Sequence, residues 1–485
     1  MEHISGLSRR ALDRARISRD RRFDGKFFIA VKTTGIYCRP VCPAPSPKSV
    51  NVVYFESAAS AAEAGFRPCL RCRPEAAPGT PAWLGTSAVV RRALRLIHDG
   101  ALDRMSVDEL AGKIGIGPRH LHRLFIEHVG ASPLAVAHTR RLHFAKRLLD
   151  ETQLSINEIA LASGFGSLRR FNDAFQKTYG RAPRDLRKLR QMRNASDATE
   201  VLMRLAYRPP YDWGHVRAFL AMRTIPGVER IDANGYARTL STENGTVIVS
   251  MRVNETDHAL ELRVRGAAPT LLFQLSAAAR RMFDLSADPS RIAATFRSDT
   301  LLAPLVKRRP GLRIPGAWDP FECAVRAVLG QQVSVAAART LAARLVVRTG
   351  RALENEIDGL THLFPSPADL ASASLDGLGI TGSRIRALQA LARAVADKQL
   401  DFSAGVDEVI AGLTALPGFG AWTAQYIAMR ALGEPDAFPT GDLVLRRMAS
   451  ATDKPLSIRE LESRAEAWRP WRGYAVMHLW AASND

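Results

Sequence analysis

Four of the five cysteines lie as Cys38-Arg-Pro-Val-Cys42 and, after a gap of 26 residues, Cys69-Leu-Arg-Cys72. Two close pairs of thiols separated by a loop are the spacing of a tetrahedral zinc cage, with Zn–S bonds of about 2.3 Å. Most closed four-cysteine cages are structural, and that reading stands on spacing alone. A second constellation lies near the C-terminal end. Leu416-Pro417-Gly418-Phe419-Gly420-Ala421-Trp422-Thr423-Ala424 has the form of a helix-hairpin-helix, whose glycines let backbone N–H groups approach a DNA phosphate at a helix N-terminus. Phe438-Pro439-Thr440-Gly441-Asp442 follows it and supplies a carboxylate. Gly-Asp ahead of Leu-Val-Leu-Arg-Arg is good helix-capping chemistry, the reading that the local residues support by themselves. Trp422 and Tyr426 are four apart, hence on one helix face, and read from spacing alone as core. Cys323, in the apolar run Phe321-Glu-Cys-Ala-Val, reads as packing.

The elements that must position these groups divide a chain of 485 residues, too long for one core. The formal charge is +20 and uneven: residues 1–200 carry 34 basic against 19 acidic side chains, residues 201–485 carry 34 against 29. A basic first part points to a polyanion, with nucleic acid as the default partner. There is no signal-peptide h-region and no apolar run long enough to span a bilayer, so a cytoplasmic location without a membrane partner is expected. Pro74-Glu-Ala-Ala-Pro78-Gly79-Thr80-Pro81 reads as a linker, the stretch from Arg190 to Glu200 as a second break, and Ala287-Asp288-Pro289 as a softer one.

Between the first two breaks the chain repeats itself. Glu109-Leu110-Ala111 recurs as Glu158-Ile159-Ala160, and Val129-Gly130-Ala131-Ser132-Pro133 has its counterpart in Tyr179-Gly180-Arg181-Ala182-Pro183, 50 residues on. Each copy predicts a short helix, a glycine-bearing turn and a second amphipathic helix, roughly Pro118–His128 and Ser167–Thr178. That is a tandem helix-turn-helix, with Arg119, His120 and Arg123 in the first copy and Leu168, Arg169, Arg170 and Asn172 in the second as candidate DNA contacts. The arginines serve equally as phosphate clamps. From Val201 onward, alternating stretches at Tyr236, Gly245 and His258 predict antiparallel strands, and beyond Asp288 the pattern is helical.

The sequence around the cysteines, Thr33-Thr34-Gly35-Ile36-Tyr37-Cys38-Arg39-Pro40 and Gly65-Phe66-Arg67-Pro68-Cys69-Leu70-Arg71-Cys72, resembles the N-terminal domain of the Ada DNA-alkylation response proteins. The helix-turn-helix pair resembles the AraC family of transcription regulators. Residues 201–485 resemble AlkA-type 3-methyladenine DNA glycosylases. That likeness rests on Pro209-Pro210-Tyr211-Asp212-Trp213, Arg309-Pro310-Gly311-Leu312-Arg313-Ile314-Pro315-Gly316, Gly330-Gln331-Gln332-Val333-Ser334, the hairpin with its aspartate, and Trp468-Arg-Pro-Trp471-Arg472-Gly473-Tyr474. These resemblances imply a multidomain fold, α+β then mostly α. Its parts are a zinc-binding methyl-acceptor domain over 1–76, a double helix-turn-helix over 85–190, a small antiparallel α+β subdomain over 200–287, and a helix-hairpin-helix glycosylase bundle over 288–485.

They further imply Zn2+ held by Cys38, Cys42, Cys69 and Cys72, with Cys38 also accepting a methyl group from a DNA methylphosphotriester. Asp442 becomes the catalytic carboxylate, Trp422, Tyr426, Trp480 and Phe219 the base pocket, and Gly418, Gly420 and Gln332 DNA contacts. Alkylated and promoter double-stranded DNA are the implied substrates, and RNA polymerase the implied partner of an activator. Related enzymes that also cut the DNA backbone carry a lysine where this chain has Trp422, so a monofunctional glycosylase is expected. Leu443 stands where a tyrosine often follows the catalytic aspartate, Gly441 where a second aspartate precedes it, and Gln332 where an apolar wedge is usual. No Pro-Cys-His-Arg methyl acceptor is found, so reversal of O6-alkylguanine is not expected. Two rival readings are a glycosylase tethered to DNA by a structural zinc module, and a regulator whose glycosylase half is inactive.

Overall fold

The computed structural model describes residues 3–4, 7–78, 88–188, 200–233, 235–243, 245–450 and 452–483. The chain forms two compact units: Met1–Pro209 with Asn254–Ala277, and Pro210–Val253 with Ala278–Asp485.

In the first unit the cysteine-bearing segment builds a four-stranded sheet in the order Val52–Phe55, Phe28–Val31, Ile36–Cys38, Arg67–Pro68. The last pair is parallel and the others antiparallel, which sets Cys38 opposite Ile29 and brings Pro68, just before Cys69, beside Tyr37. Helix Arg9–Ile17 covers one side through Leu12 and Ala15 against Phe27, Ile29 and Tyr54.

The helix-turn-helix repeat follows, with supporting helices Val107–Ile114 and Ile156–Ala162 and second helices Pro118–Val129 and Leu168–Tyr179. Both supporting helices open on the same capping box, Ser106 with Glu109 and Ser155 with Glu158, which satisfies two N-terminal N–H groups reciprocally. Both second helices bury a phenylalanine pair or its equivalent, Leu121 and Phe125 in one, Phe171 and Phe175 in the other, all fully inaccessible. Helix Pro133–Glu151 joins the two copies. An antiparallel ladder of Glu200–Ala206 with Ala259–Arg265 completes this unit, Leu205 facing Leu260.

The segment read as a linker is part of the packed structure at its start. Pro74–Ala76 form a 3-10 turn and Glu75 is buried, paired with Arg73 and Lys146. The proline-rich composition signals a turn there, and a buried carboxylate with cationic partners holds the turn in place. Residues 79–81 and 189–199, the remainder of the two expected breaks, lie outside the described residues.

The second unit carries a meander of Glu229–Asp232, Gly235–Thr242 and Gly245–Asn254, followed by helices. The expectation of helix throughout beyond Asp288 is corrected by a hairpin, Ala352–Ile357 with Leu360–His362. Its outward polar residues hid the strand alternation, since Glu354, Asn355 and Glu356 are all exposed. The strands Glu200–Ala206 and Glu229–Asp232 were also not legible as separate elements.

Three buried charges, Arg238, Glu229 and Glu322, cluster with the half-buried Arg326 in this unit. Arg238 Nη2 meets Glu322 Oε2 at 2.7 Å, Arg326 pairs with both Glu322 and Glu229, and Tyr236 donates its hydroxyl to Glu229 at 2.6 Å. Burial alone pushes the Glu229 carboxyl up, but Arg326 and Arg238 outweigh it and hold it at about 2. Because the folded value is depressed from 4.5, the stabilisation is complete above that pH and is lost as pH falls through about 2. A Glu229→Gln variant leaves two guanidiniums short of one counter-charge and is expected to lose about 3–5 kcal/mol, measured as a fall in the urea midpoint of this unit at neutral pH. The gap between variant and parent should close when the same titration is run toward pH 2.

Candidate functional site

The carboxylate of Asp442 is placed by its own helix. It N-caps Leu443–Met448, Oδ1 accepting from the Leu445 N–H at 3.0 Å. Two indoles complete its surroundings: Trp422 Nε1–H donates to Oδ2 at 3.0 Å and Trp480 Nε1–H to Oδ1 at 3.3 Å. The capping and catalytic readings of Asp442 are thus compatible in one geometry. Both oxygens are fixed by donors, and the side chain stays half-buried.

Trp422 and Tyr426, on helix Ala421–Arg430, stack with ring centroids 5.3 Å apart and planes 11° from parallel. Trp480, from helix Arg472–Ala482, lies 6.3 Å from Tyr426. The three rings are half-buried and line one side of the carboxylate. Phe219 is nearly inaccessible and is linked to this group through arginine. Arg223 lies 3.7 Å over its ring and Arg430 4.8 Å, and Arg430 also donates to the Tyr426 hydroxyl at 2.6 Å. Arg430 is anchored in turn by the carbonyls of Pro315 and Gly316, at 2.8 Å each. The proline-glycine motif at 309–316 therefore fixes the guanidinium that orients Tyr426.

Neither Arg223 nor Arg430 was singled out from sequence. Arg430 follows Tyr426 by four and Trp422 by eight, so helical spacing carried that signal; Arg223 had none.

The hairpin glycines differ in their surroundings. Gly418 has φ +82°, and a Cβ there would lie 2.8 Å from the Ala387 methyl. Gly420 caps Ala421–Arg430, and a Cβ there would meet nothing within 4 Å. The loop bearing Gln332 is stitched to the hairpin: Gln331 Nε2–H donates to the Gly418 carbonyl at 2.8 Å and to Thr423 Oγ1 at 3.2 Å, and Arg384 holds the Gln331 carbonyl. Gln332 itself is exposed with φ +53°, a left-handed conformation unusual for a residue with a Cβ.

In the first unit Cys38, Cys42, Cys69 and Cys72 bring their sulfurs within 4.8 Å of one another, the first two half-buried and the last two buried. Zn–S bonds of about 2.3 Å imply sulfur–sulfur edges of about 3.8 Å, so this all-thiol donor set fits tetrahedral Zn2+. Arg39 spans the cage. Its backbone N–H donates to Cys72 Sγ at 3.3 Å, its guanidinium to the Cys72 carbonyl at 3.0 Å, and it pairs with Asp24. Cys323 is buried and far from such chemistry, its thiol pushed up by desolvation.

On the second helices of the repeat, Arg119, His120 and Arg123 are exposed, with Arg123 Nη2 and His120 Nδ1 3.1 Å apart. Arg169 and Arg170 are exposed at the start of Leu168–Tyr179, and Asn172 is half-buried beside them. Among the described residues no helix is long and apolar enough to cross a membrane.

The chain matches the metal-binding domain of Ada over residues 11–75, a helix-turn-helix domain over 110–189, the AlkA N-terminal domain over 202–319, and the HhH-GPD superfamily of base excision DNA repair proteins over 325–472. It is 35% identical over 282 residues to DNA-3-methyladenine glycosylase 2 of Escherichia coli strain K12, covering 57% of this chain and 95% of that protein. A solved 3-methyladenine DNA-glycosylase from Archaeoglobus fulgidus superposes with a TM-score of 0.51 at 21% identity over 57% of this chain and 96% of that one, a likeness of fold. Over 472 residues the chain is 44% identical to the "probable bifunctional transcriptional activator/DNA repair enzyme AlkA" of Mycobacterium tuberculosis, covering 96% of this chain and 95% of that protein. With zinc-type, helix-turn-helix and glycosylase parts all in the same order, this chain belongs to the family of bifunctional transcriptional activator/DNA repair enzymes of the AlkA type.

Proposed function

We propose that this chain removes alkylated bases of the 3-methyladenine type from double-stranded DNA, and reports DNA methylation to a promoter through Cys38 and the helix-turn-helix pair. One observation carries the enzymatic half: a carboxylate pinned by two indole N–H groups and a helix N-terminus, at the edge of a stacked aromatic pair.

The hairpin glycines Gly418 and Gly420 offer the start of helix Ala421–Arg430 to a backbone phosphate. Gln332, on its strained exposed loop, enters the gap that the rotated nucleotide leaves. The extruded base lies against Trp422, Tyr426 and Trp480. An alkylated purine is cationic, so each good aromatic contact favours it over an ordinary base by roughly 0.5–2 kcal/mol. As the C1′–N bond breaks, its electron pair leaves with the base and positive charge grows on the sugar. Asp442 faces that charge; at about 4 Å and an effective dielectric of about 20 the attraction is roughly 4 kcal/mol, on the order of 10³ in rate. Water then adds to C1′ and gives up its proton to the carboxylate or to solvent. An indole at position 422 cannot form a Schiff base, so the product is an abasic site in an uncut strand.

In the zinc domain, Cys38, Cys42, Cys69 and Cys72 would hold Zn2+, which would keep their sulfurs as thiolates. Cys38, on the more accessible side, attacks the methyl carbon of a methylphosphotriester, and the C–O electron pair leaves with the phosphate as a diester anion. The thioether left at Cys38 removes one negative charge from a cage that otherwise repels DNA. Arg119, His120 and Arg123, with Leu168, Arg169, Arg170 and Asn172, then read adjacent major grooves of a promoter, and RNA polymerase is the partner recruited, in the cytoplasm.

Asp442→Asn keeps an oxygen to cap Leu443–Met448, so folding should be preserved while single-turnover release of 3-methyladenine falls roughly 10²–10⁴-fold. An unchanged rate refutes the catalytic assignment. After incubation with methylated DNA, the peptide bearing Cys38 should gain the mass of one methyl group, with Cys42, Cys69 and Cys72 unmodified. An unmodified Cys38 in a preparation that still releases methylated bases leaves the cage a structural tether.

A further inference from the structure

The zinc domain touches the same point of both copies of the repeat. Gly130 and Gly180, 50 residues apart and equivalent, end the two second helices in the left-handed conformation, at φ +72° and +69°. At the first, Ser57 donates its hydroxyl to the Val129 carbonyl at 3.2 Å, Ser132 donates to Glu63 at 3.1 Å, and a Cβ on Gly130 would lie 3.2 Å from the Ser60 Cβ. At the second, a Cβ on Gly180 would lie 2.7 Å from Arg67 Nη1, so the guanidinium rests against the helix end where carbonyls concentrate negative partial charge. A third contact reaches the helix between them: the Tyr37 hydroxyl and His143 Nε2 are 2.9 Å apart, Tyr37 buried and His143 half-buried. Arg73, next to Cys72, adds ion pairs to Asp150 and Glu151 on that helix.

We propose that the zinc domain is a clamp that sets the relative placement of the two DNA-reading helices, with Arg67, Ser57 and the Tyr37–His143 pair as its positioning contacts. The inference rests on the reading of those helices as a DNA-binding pair. Two helices that enter adjacent major grooves must be held about 34 Å apart along the duplex, and a contact at each C-terminal end plus one on the connecting helix fixes that relation. The clamp is wired to the acceptor: Arg67 N–H donates to the Gly35 carbonyl at 2.8 Å and Cys69 N–H to the Tyr37 carbonyl at 2.9 Å, so the strand that carries Cys38 and the strand that carries Arg67 move together. Methylation at Cys38 therefore acts on helix placement as well as on charge.

The test is the distance between nitroxides carried on non-canonical side chains at His122 and Lys177, exposed positions on the two helices, measured by pulsed electron resonance on the full zinc-loaded chain without DNA. The parent should give one narrow distribution. Tyr37→Phe with Arg67→Ala should broaden it at least twofold, and Arg67→Lys should restore most of the sharpness. An unchanged width in the double variant overturns the clamp. Should that variant lose zinc, Arg67→Ala alone, at an exposed position, carries the same test. Arg67 acting as a phosphate contact is the competing account: on a random duplex of about 30 base pairs, Arg67→Ala would then lower the slope of log K against log salt by about one, and that result also overturns the clamp. A normal distance distribution in a chain whose Arg169→Ala/Arg170→Ala variant binds DNA as tightly as the parent would instead defeat the DNA-reading assignment and leave the clamp standing.

Discussion

Four sulfurs within 4.8 Å of one another concentrate more negative charge than a polypeptide can hold without a cation, and the first unit is arranged around that demand. The sheet supplies the spacing, since the parallel pairing of Ile36–Tyr37 with Arg67–Pro68 sets the two cysteine pairs side by side. Arg39 supplies the cross-tie, with one residue donating to the Cys72 sulfur and carbonyl while its charge is matched by Asp24. The same logic extends outward through the half-buried Arg73 and the buried side chains of Glu75, Lys146 and Asp150, a set of charges in which every member has an opposite partner. Unpaired, any of these would cost several kcal/mol, so their pairing dictates where the connecting helix sits.

The second unit surrounds the Asp442 carboxylate with donors. In the function proposed above that carboxylate stands at the edge of a pocket for flat, cationic bases, and its donors cannot themselves react. Indole N–H groups serve that purpose because they are donors only, on large apolar bodies that also make the pocket wall. Tyr426 is oriented from behind by Arg430, which is itself held by two backbone carbonyls. Precision in the pocket thus comes from a glycine-proline segment more than a hundred residues earlier in the chain.

The two halves share a way of using DNA. In the function proposed above each offers helix ends or basic helix faces to phosphate, and each keeps its candidate side chains on secondary structure and not on long loops. A repair enzyme and a damage-responsive regulator in one chain share a substrate polymer, and the charge of +20 favours encounter with it by both halves.

Much of this was legible without coordinates. Thiol pairs declare a metal through spacing alone, because two short loops are enough to bring four ligands together. The repeat at 50 residues, its capping boxes and its terminal glycines are local signals, set by hydrogen bonds three or four residues apart. The hairpin and Asp442 were legible for the same reason. What the sequence left undetermined were the contacts between distant segments: Trp480 meeting Asp442, Arg223 over Phe219, Gln331 tying its loop to the hairpin, and Arg67 at Gly180. None of these pairs has a fixed separation in sequence, and each involves a long or planar side chain whose partner depends on how helices pack. The amino-acid order by itself determined which chemistry is present and which short segments present it; the tertiary fold alone decided which aromatic donates to the carboxylate and which arginine backs the pocket, because packing selects among rotamers that local sequence leaves equally open.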